Sequence, residues 1–162
     1  MKIYTKSGDK LQTTTFKGRV YKSDLVIEVE GSLDEATSYL ALARTCASKD
    51  ETKEILEKVI KKLFSLGSDF LGYTKEEVKE SDVLELENII DSFENKIERK
   101  KEFVIPGKTV GGANVHIART SVRRLERRMV AYGLENEVNE VLYKYVNRLS
   151  DLLFILGEWE DK

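Results

Sequence analysis

GGANVHIARTSVRRLERRMVAY, residues 111–132, is the stretch on which the fold turns. Its apolar residues Val115, Ala118, Val122, Leu125, Met129 and Tyr132 recur at alternating steps of three and four, the spacing of one buried face of an α-helix. Gly133 follows as a suitable C-terminal stop. Five of the chain's nine arginines lie within residues 119–128. Arg119, Arg123 and Glu126 stand at i, i+4 and i+7, in a stripe turned by roughly 100° from the apolar seam. Cations so crowded repel one another unless something anionic sits between them. The stretch is therefore either a ready clamp for a polyanion or a crowded solvated face.

Outward from this helix, the same periodicity repeats. About residues 139–159 carry Leu142, Tyr145, Leu149, Leu152 and Leu156; about 51–72 carry Ile55, Val59, Leu63, Leu66 and Phe70; about 81–100 carry Val83, Leu86, Ile89 and Phe93. Ser81 is the expected N-cap of the last of these, and the charged run 98–102 reads as its solvated final turn. Pro106 and Gly107 then break the pattern. Near the beginning, Ser32 and Glu35 after Gly31 form a capping-box pattern ahead of Leu33, Ala36, Leu40, Ala43 and Ala47, which predicts a first helix from residue 32. Residues 25–29 read as a short β-prone run, and residues 5–22 as an ordered loop or extended arm. The expected fold is all-α: a five-helix up-and-down bundle in one domain, with an N-terminal arm over 1–31 and the bundle over 32–162.

Composition narrows the function. The 27 basic and 29 acidic side chains leave a net charge of -2, so no global field draws the chain to nucleic acid, and the arginine cluster is a local feature. The single cysteine, Cys46, has no partner in the chain, and no clustered Cys/His set suits zinc or iron. Apolar runs reach only about five residues, and the opening residues lack a signal-peptide core, so a soluble cytoplasmic protein without membrane contact is expected.

The arginine stripe needs a second element to become a site. Tyr4-Thr5-Lys6-Ser7-Gly8-Asp9-Lys10 offers hydroxyls, ammonium groups and a glycine able to aim backbone amides at an anion, although the same residues also make an ordinary turn. The Walker pattern is absent. Thr13 and Lys22 add further donors, and Asn147, one turn before Asp151, places an amide mid-helix where capping cannot explain it. His116, the only histidine, reads as a locally satisfied ring in preference to a general base, and no nucleophile, base and orienter set presents itself.

Together these segments resemble the PduO-type ATP:cob(I)alamin adenosyltransferases, the corrinoid adenosyltransferase family. Residues 4–9 are similar to its Y-T-K-T-G-D arm and residues 31–35 to its G-x-x-D-E segment. Residues 103–107 resemble its F-x-x-P-G loop, 118–127 its A-R-x-x-x-R-R-x-E-R signature, and 145–151 its Y-x-N-R-L-S-D signature. The resemblance implies transfer of the 5'-deoxyadenosyl group of ATP, accompanied by Mg2+, to cob(I)alamin or a related corrinoid, with release of triphosphate. It also implies a homotrimer with active sites between subunits, a cob(II)alamin reductase as electron source, and an adenosylcobalamin-dependent enzyme as recipient. By motif, Thr5, Lys6, Ser7, Gly8, Asp9, Thr13, Lys22, Arg123, Arg124, Glu126 and Asn147 would hold ATP, with Arg119, Arg123, Glu126 and Asn147 nearest the chemistry. Phe103 would lie under the corrin, and Asp34 would pair with Arg119 across the interface; the resemblance assigns no metal ligands.

The chemistry suits a chain without a catalytic triad. Cob(I)alamin is itself a strong nucleophile toward C5', so the protein supplies alignment and stabilisation of charge growing on the triphosphate. Two departures stand out. Leu11 occupies a position where the family arm carries glycine, and Lys108 follows Gly107 where the family loop has a second glycine. A module that binds ATP or corrinoid as a sensor or delivery protein, without turnover, is the alternative reading.

Overall fold

The computed structural model describes residues 3, 4, 6, 8–15, 18–97 and 105–162. Among these residues five helices carry the structure: α1 Leu25–Cys46, α2 Asp50–Leu71, α3 Glu80–Glu94, α4 Val110–Gly133 and α5 Glu140–Glu160. Ahead of them, β1 Gln12–Thr15 and β2 Gly18–Tyr21 pair antiparallel, with Gln12 opposite Tyr21 and Thr15 opposite Gly18. The arm is thus partly a hairpin, where the sequence suggested only a loop or extended run. Its ladder continues through the Lys22 N–H, which donates to the Leu11 carbonyl at 3.0 Å.

In the bundle, α1 packs on both α2 and α4, α4 packs on α5, and α5 packs on α3. Leu40, Leu56, Leu63, Leu66, Leu125, Met129, Leu142, Leu149 and Leu152 are fully buried between them. All six seam residues of α4 are in this core. Burying each such side chain stabilises the fold by about 1.5–3 kcal/mol before chain entropy is counted. None of the helices among the described residues is long and apolar enough to cross a membrane.

The first helix begins earlier than its local signals predict. Residues 25–29 form its opening turns, and Ser32 is a buried residue on its inner face instead of a cap. Val29 explains the difference, because it is buried one turn ahead of Ser32 and prolongs the seam that continues through Ala36, Leu40 and Ala43. Tertiary burial overrides both the β preference of 25–29 and the local cap. Ser81 is likewise not the N-cap of α3. Lys79 holds that place, and its backbone N–H donates to the Asp82 carboxylate at 2.8 Å. This helix ends at Glu94, with residues 95–97 in a turn, so the expected extension to residue 100 is not made over 95–97. Gly133 is the last residue of α4, where the sequence placed the stop. A side chain there would collide with the Tyr143 hydroxyl, so it also serves close packing of α4 on α5.

Two acids at the end of α5 close two other helices. Glu160 is 1% exposed, and its carboxylate accepts from the Ser48 N–H and Ser48 hydroxyl, both at 2.8 Å, and from the Lys49 N–H at 3.2 Å, just before α2. Asp161 accepts from the Gly107 N–H at 3.1 Å and the Thr109 N–H at 2.8 Å, while the Thr109 hydroxyl accepts from the Gly112 N–H at 2.9 Å at the start of α4. These contacts satisfy donors that helix starts leave unpaired, with negative charge at the positive end of each dipole. Burial opposes both charges, yet the donated hydrogen bonds outweigh it and hold both carboxyls below their ordinary pKa.

Candidate functional site

The arginines of α4 divide between two flanks. Toward α1, Arg124 Nη1 meets the Glu35 carboxylate at 3.2 Å and Arg128 Nη2 meets Glu28 at 3.4 Å. Glu28 and Glu35 lie two turns apart on α1, and Arg124 and Arg128 one turn apart on α4, so the two helices present complementary charge. A cleft of about 330 Å³ opens on this flank, lined by Lys22, Glu28, Ser32, Glu35, Arg124 and Arg128 among others. The arm reaches it directly. Lys22 belongs to its wall, and Gly8 lies against the Lys22 side chain, where a Cβ would come within 3.2 Å of Nζ.

The other flank carries cations without carboxylate partners among the described residues. Among the described residues, no hydrogen bond or ion pair engages the exposed Arg123 guanidinium; only its backbone carbonyl accepts a bond, from Arg127 at 3.1 Å. Arg119 is half-buried. Its Nε–H donates to His116 Nδ1 at 3.3 Å, and its guanidinium carbon stands 5.8 Å from the centre of the Phe154 ring. Burial, then the charge of Arg123, hold the Arg119 pKa below the ordinary arginine value. Between the helices, Asn147 donates to Glu126 Oε1 at 2.9 Å, so the mid-helix amide and the acid of the arginine stripe form one polar bridge from α5 to α4.

His116 is buried at 5% exposure. Because Nδ1 accepts from arginine, the neutral ring must carry its hydrogen on Nε2. Among the described residues that nitrogen has no hydrogen-bond partner, and Glu158 Oε1 lies 4.0 Å away. His116, Glu158 and Asp161 bring ligand-type atoms within 4.8 Å of one another. With the arginine bond in place, however, the ring presents N–H in place of a lone pair, which suits an acceptor and not a metal ion.

Of the expected residues, Lys22 and Arg124 line the cleft with Gly8 against Lys22, whereas Glu126 and Asn147 are joined between α4 and α5 and Arg123 stands on the other flank. Lys6 and Asp9 belong to the same arm, where the Asp9 N–H donates to the Lys6 carbonyl at 3.4 Å, and Thr13 is paired with Val20 in the hairpin. Asp34 does not join them within one chain. It is exposed and lines a separate groove between α1 and α2 with Leu63, Phe64 and Tyr73. Thr5, Ser7 and Phe103 lie outside the described residues. Sequence reading missed Glu28 and Glu35 as partners of the arginines, since their shared face becomes visible only when α1 is started at residue 25. It also missed Phe154, whose one signal was its place one turn after Asp151 on the same helix.

The chain is thus a helical bundle whose polar arm reaches the arginine helix, and its sequence has no Walker loop. Residues 3–160 match the cobalamin adenosyltransferase family model, and the chain belongs to that family. It is 38% identical to a corrinoid adenosyltransferase of Citrobacter freundii, over 99% of this chain and 95% of that protein. It is also 38% identical to the Bacillus subtilis corrinoid adenosyltransferase, over 95% of this chain and 83% of the relative. Its fold matches a variant PduO-type ATP:corrinoid adenosyltransferase from Lactobacillus reuteri, solved with cobalamin and ATP. That match has a TM-score of 0.91 at 30% identity, covering 99% of this chain and 91% of the other.

Proposed function

We propose that the protein transfers the 5'-deoxyadenosyl group of ATP to the cobalt of a reduced corrinoid, cob(I)alamin or a close relative. The observation that carries this reading is the meeting of Lys22, from the arm, with Arg124 and Arg128 of α4 around one cleft, Arg123 being the next residue to Arg124 in the chain and without a carboxylate partner among the described residues. Such a grouping suits a triphosphate, whose oxygens accept planar, paired hydrogen bonds from guanidinium groups. The ATP ligands on this reading are Thr5, Lys6, Ser7, Gly8, Asp9, Thr13, Lys22, Arg123, Arg124, Glu126 and Asn147. Only Oε1 of Glu126 is engaged among the described residues, which fits a magnesium ion arriving with the phosphates.

In the reaction the Co(I) substrate attacks C5', a Co–C bond forms, the C5'–O bond breaks and its electron pair leaves on triphosphate. No protein nucleophile or base is needed. Arg123 and Arg124 stabilise the departing anion, and the arm fixes C5' in line with the metal of the substrate. Phe103 would cover the lower corrin face. Asp34 lines a groove between α1 and α2 that does not include Arg119, so the two would meet between neighbouring copies, making the working assembly a homotrimer with sites between subunits. A bacterial-type relative of this kind would work in the cytoplasm, taking electrons from a cob(II)alamin reductase and passing its product to an adenosylcobalamin-dependent enzyme.

Leu11 bears on the alternative of a binding module without turnover. It keeps a left-handed backbone, φ 62°, without being glycine, so the arm retains the conformation that glycine would favour. That supports ATP binding by the arm, which both readings require, and leaves turnover to the assay. The test is incubation with ATP, reductant and cobalamin, following light-sensitive alkylcobalamin and triphosphate together. Equal yields of both are expected, and binding of ATP with no triphosphate would sink the transferase reading.

A further inference from the structure

We infer that His116 is a positioning residue for Arg119: Nδ1 of the buried ring holds the arginine by its Nε–H, and protonation of the ring releases it. This deepens the proposed adenosyl transfer and rests on Arg119 taking part in it. Three independent contacts make the arrangement a built one. The Nδ1 to Nε hydrogen bond is 3.3 Å, the imidazole stands edge-on to Phe154 at 5.9 Å between centroids, and the Arg119 guanidinium lies over that same ring. Below the imidazole, Gly157 leaves the room it needs, since a Cβ there would come 2.6–2.9 Å from Nε2, Cε1 and Cδ2. Held by Nε, the guanidinium keeps its two terminal amino groups for an anion or carboxylate from outside the chain. Among the described residues, no carboxylate takes them.

The ring is tied to this one state by its surroundings. On its own helix it faces Arg119; from α5 it faces Glu158 at 4.0 Å and Asp161. Burial and then Arg119 disfavour a charged ring, while Asp161 works the other way, and the balance lies below the ordinary histidine pKa. At neutral pH the ring is therefore neutral with Nδ1 free to accept. In acid both nitrogens carry hydrogen, two donors and two cations face each other, and the arginine loses its anchor.

The experiment reads the tautomer and the rate separately. Nitrogen-15 NMR of the intact protein should find Nδ1 without hydrogen and Nε2 with it; a ring protonated on Nδ1 at neutral pH overturns the inference whether or not the protein transfers adenosyl groups. For the rate, triphosphate release is followed against pH in three variants. His116→Asn, whose amide oxygen falls near the Nδ1 position, should keep most of kcat/KM and lose the acid-side decline of the wild type. His116→Leu should lose on the order of tenfold at every pH, as expected for one hydrogen bond to a charged group, and Gly157→Ala should resemble it by pushing the ring aside. Unchanged rates and pH profiles in all three would overturn the assignment. Should the leucine variant fail to fold, the asparagine variant still decides, because a purely structural histidine would leave the pH profile with its acid limb intact.

Discussion

The two flanks of α4 carry the same residue type and have opposite electrostatics. Arg124 and Arg128 are answered from α1 by Glu35 and Glu28, whereas Arg119 and Arg123 have no carboxylate partner among the described residues. A cation left unneutralised beside another costs stability unless a ligand or neighbour completes it. The difference separates arginines that begin with a partner on α1, which a bound anion would have to share or replace at Arg124, from those with no carboxylate of their own, which the bare cluster could not do.

The strongest test of this division is kinetic. Arg123→Ala should lower kcat/KM by about 10²–10³-fold, the usual loss of one donor to a developing anion, with the melting temperature nearly unchanged. Arg128→Ala should cost only a few-fold; equal losses in triphosphate release would erase the distinction between the flanks. A second contrast sets buried against exposed carboxylates. Glu160→Ala should destabilise the fold by about 2–3 kcal/mol in urea unfolding, because donors of Ser48 and Lys49 are left without their acceptor. Glu35→Ala, which removes a half-exposed ion pair, should cost no more than about 1 kcal/mol.

The pH dependence of stability sharpens the same comparison. His116 has a folded pKa below its ordinary value of 6.5, so the unfolded chain takes up that proton first and stability declines as pH falls below 6.5. Glu160 and Asp161 are also lowered in the fold, from ordinary values of 4.5 and 3.8, and their contribution is present above those values and lost as pH falls through their folded pKa. Denaturant titrations should show two falling limbs, and His116→Asn should remove only the upper one. The smallest effect belongs to Leu11→Gly. Relief of left-handed strain and the added freedom of the unfolded chain oppose each other at about 1 kcal/mol apiece. ATP affinity should then change by less than about threefold, and a tenfold gain would mean that Leu11 strains the arm.

The seams of α2, α4 and α5 were legible because burial there follows helical periodicity without competition. The start of α1 was not, since Gly31, Ser32 and Glu35 satisfy a local cap while Val29 answers to packing from other helices. The site divided in the same way. Lys22, Arg124, Glu126 and Asn147 could be named from their motifs, but which arginines are neutralised depends on the register of α1 against α4. Neither Glu160 nor Asp161 announced itself, because the groups they satisfy are remote in sequence.

That remoteness has a kinetic meaning. The start of α2 is completed by a side chain 112 residues further on, so the contact cannot form until the intervening helices have collapsed. Refolding should therefore pass its barrier without it, and Glu160→Ala should leave the refolding rate almost untouched while hastening unfolding. The carboxylate would then act as a latch on the finished bundle, setting how long the native state lasts more than how fast it is reached.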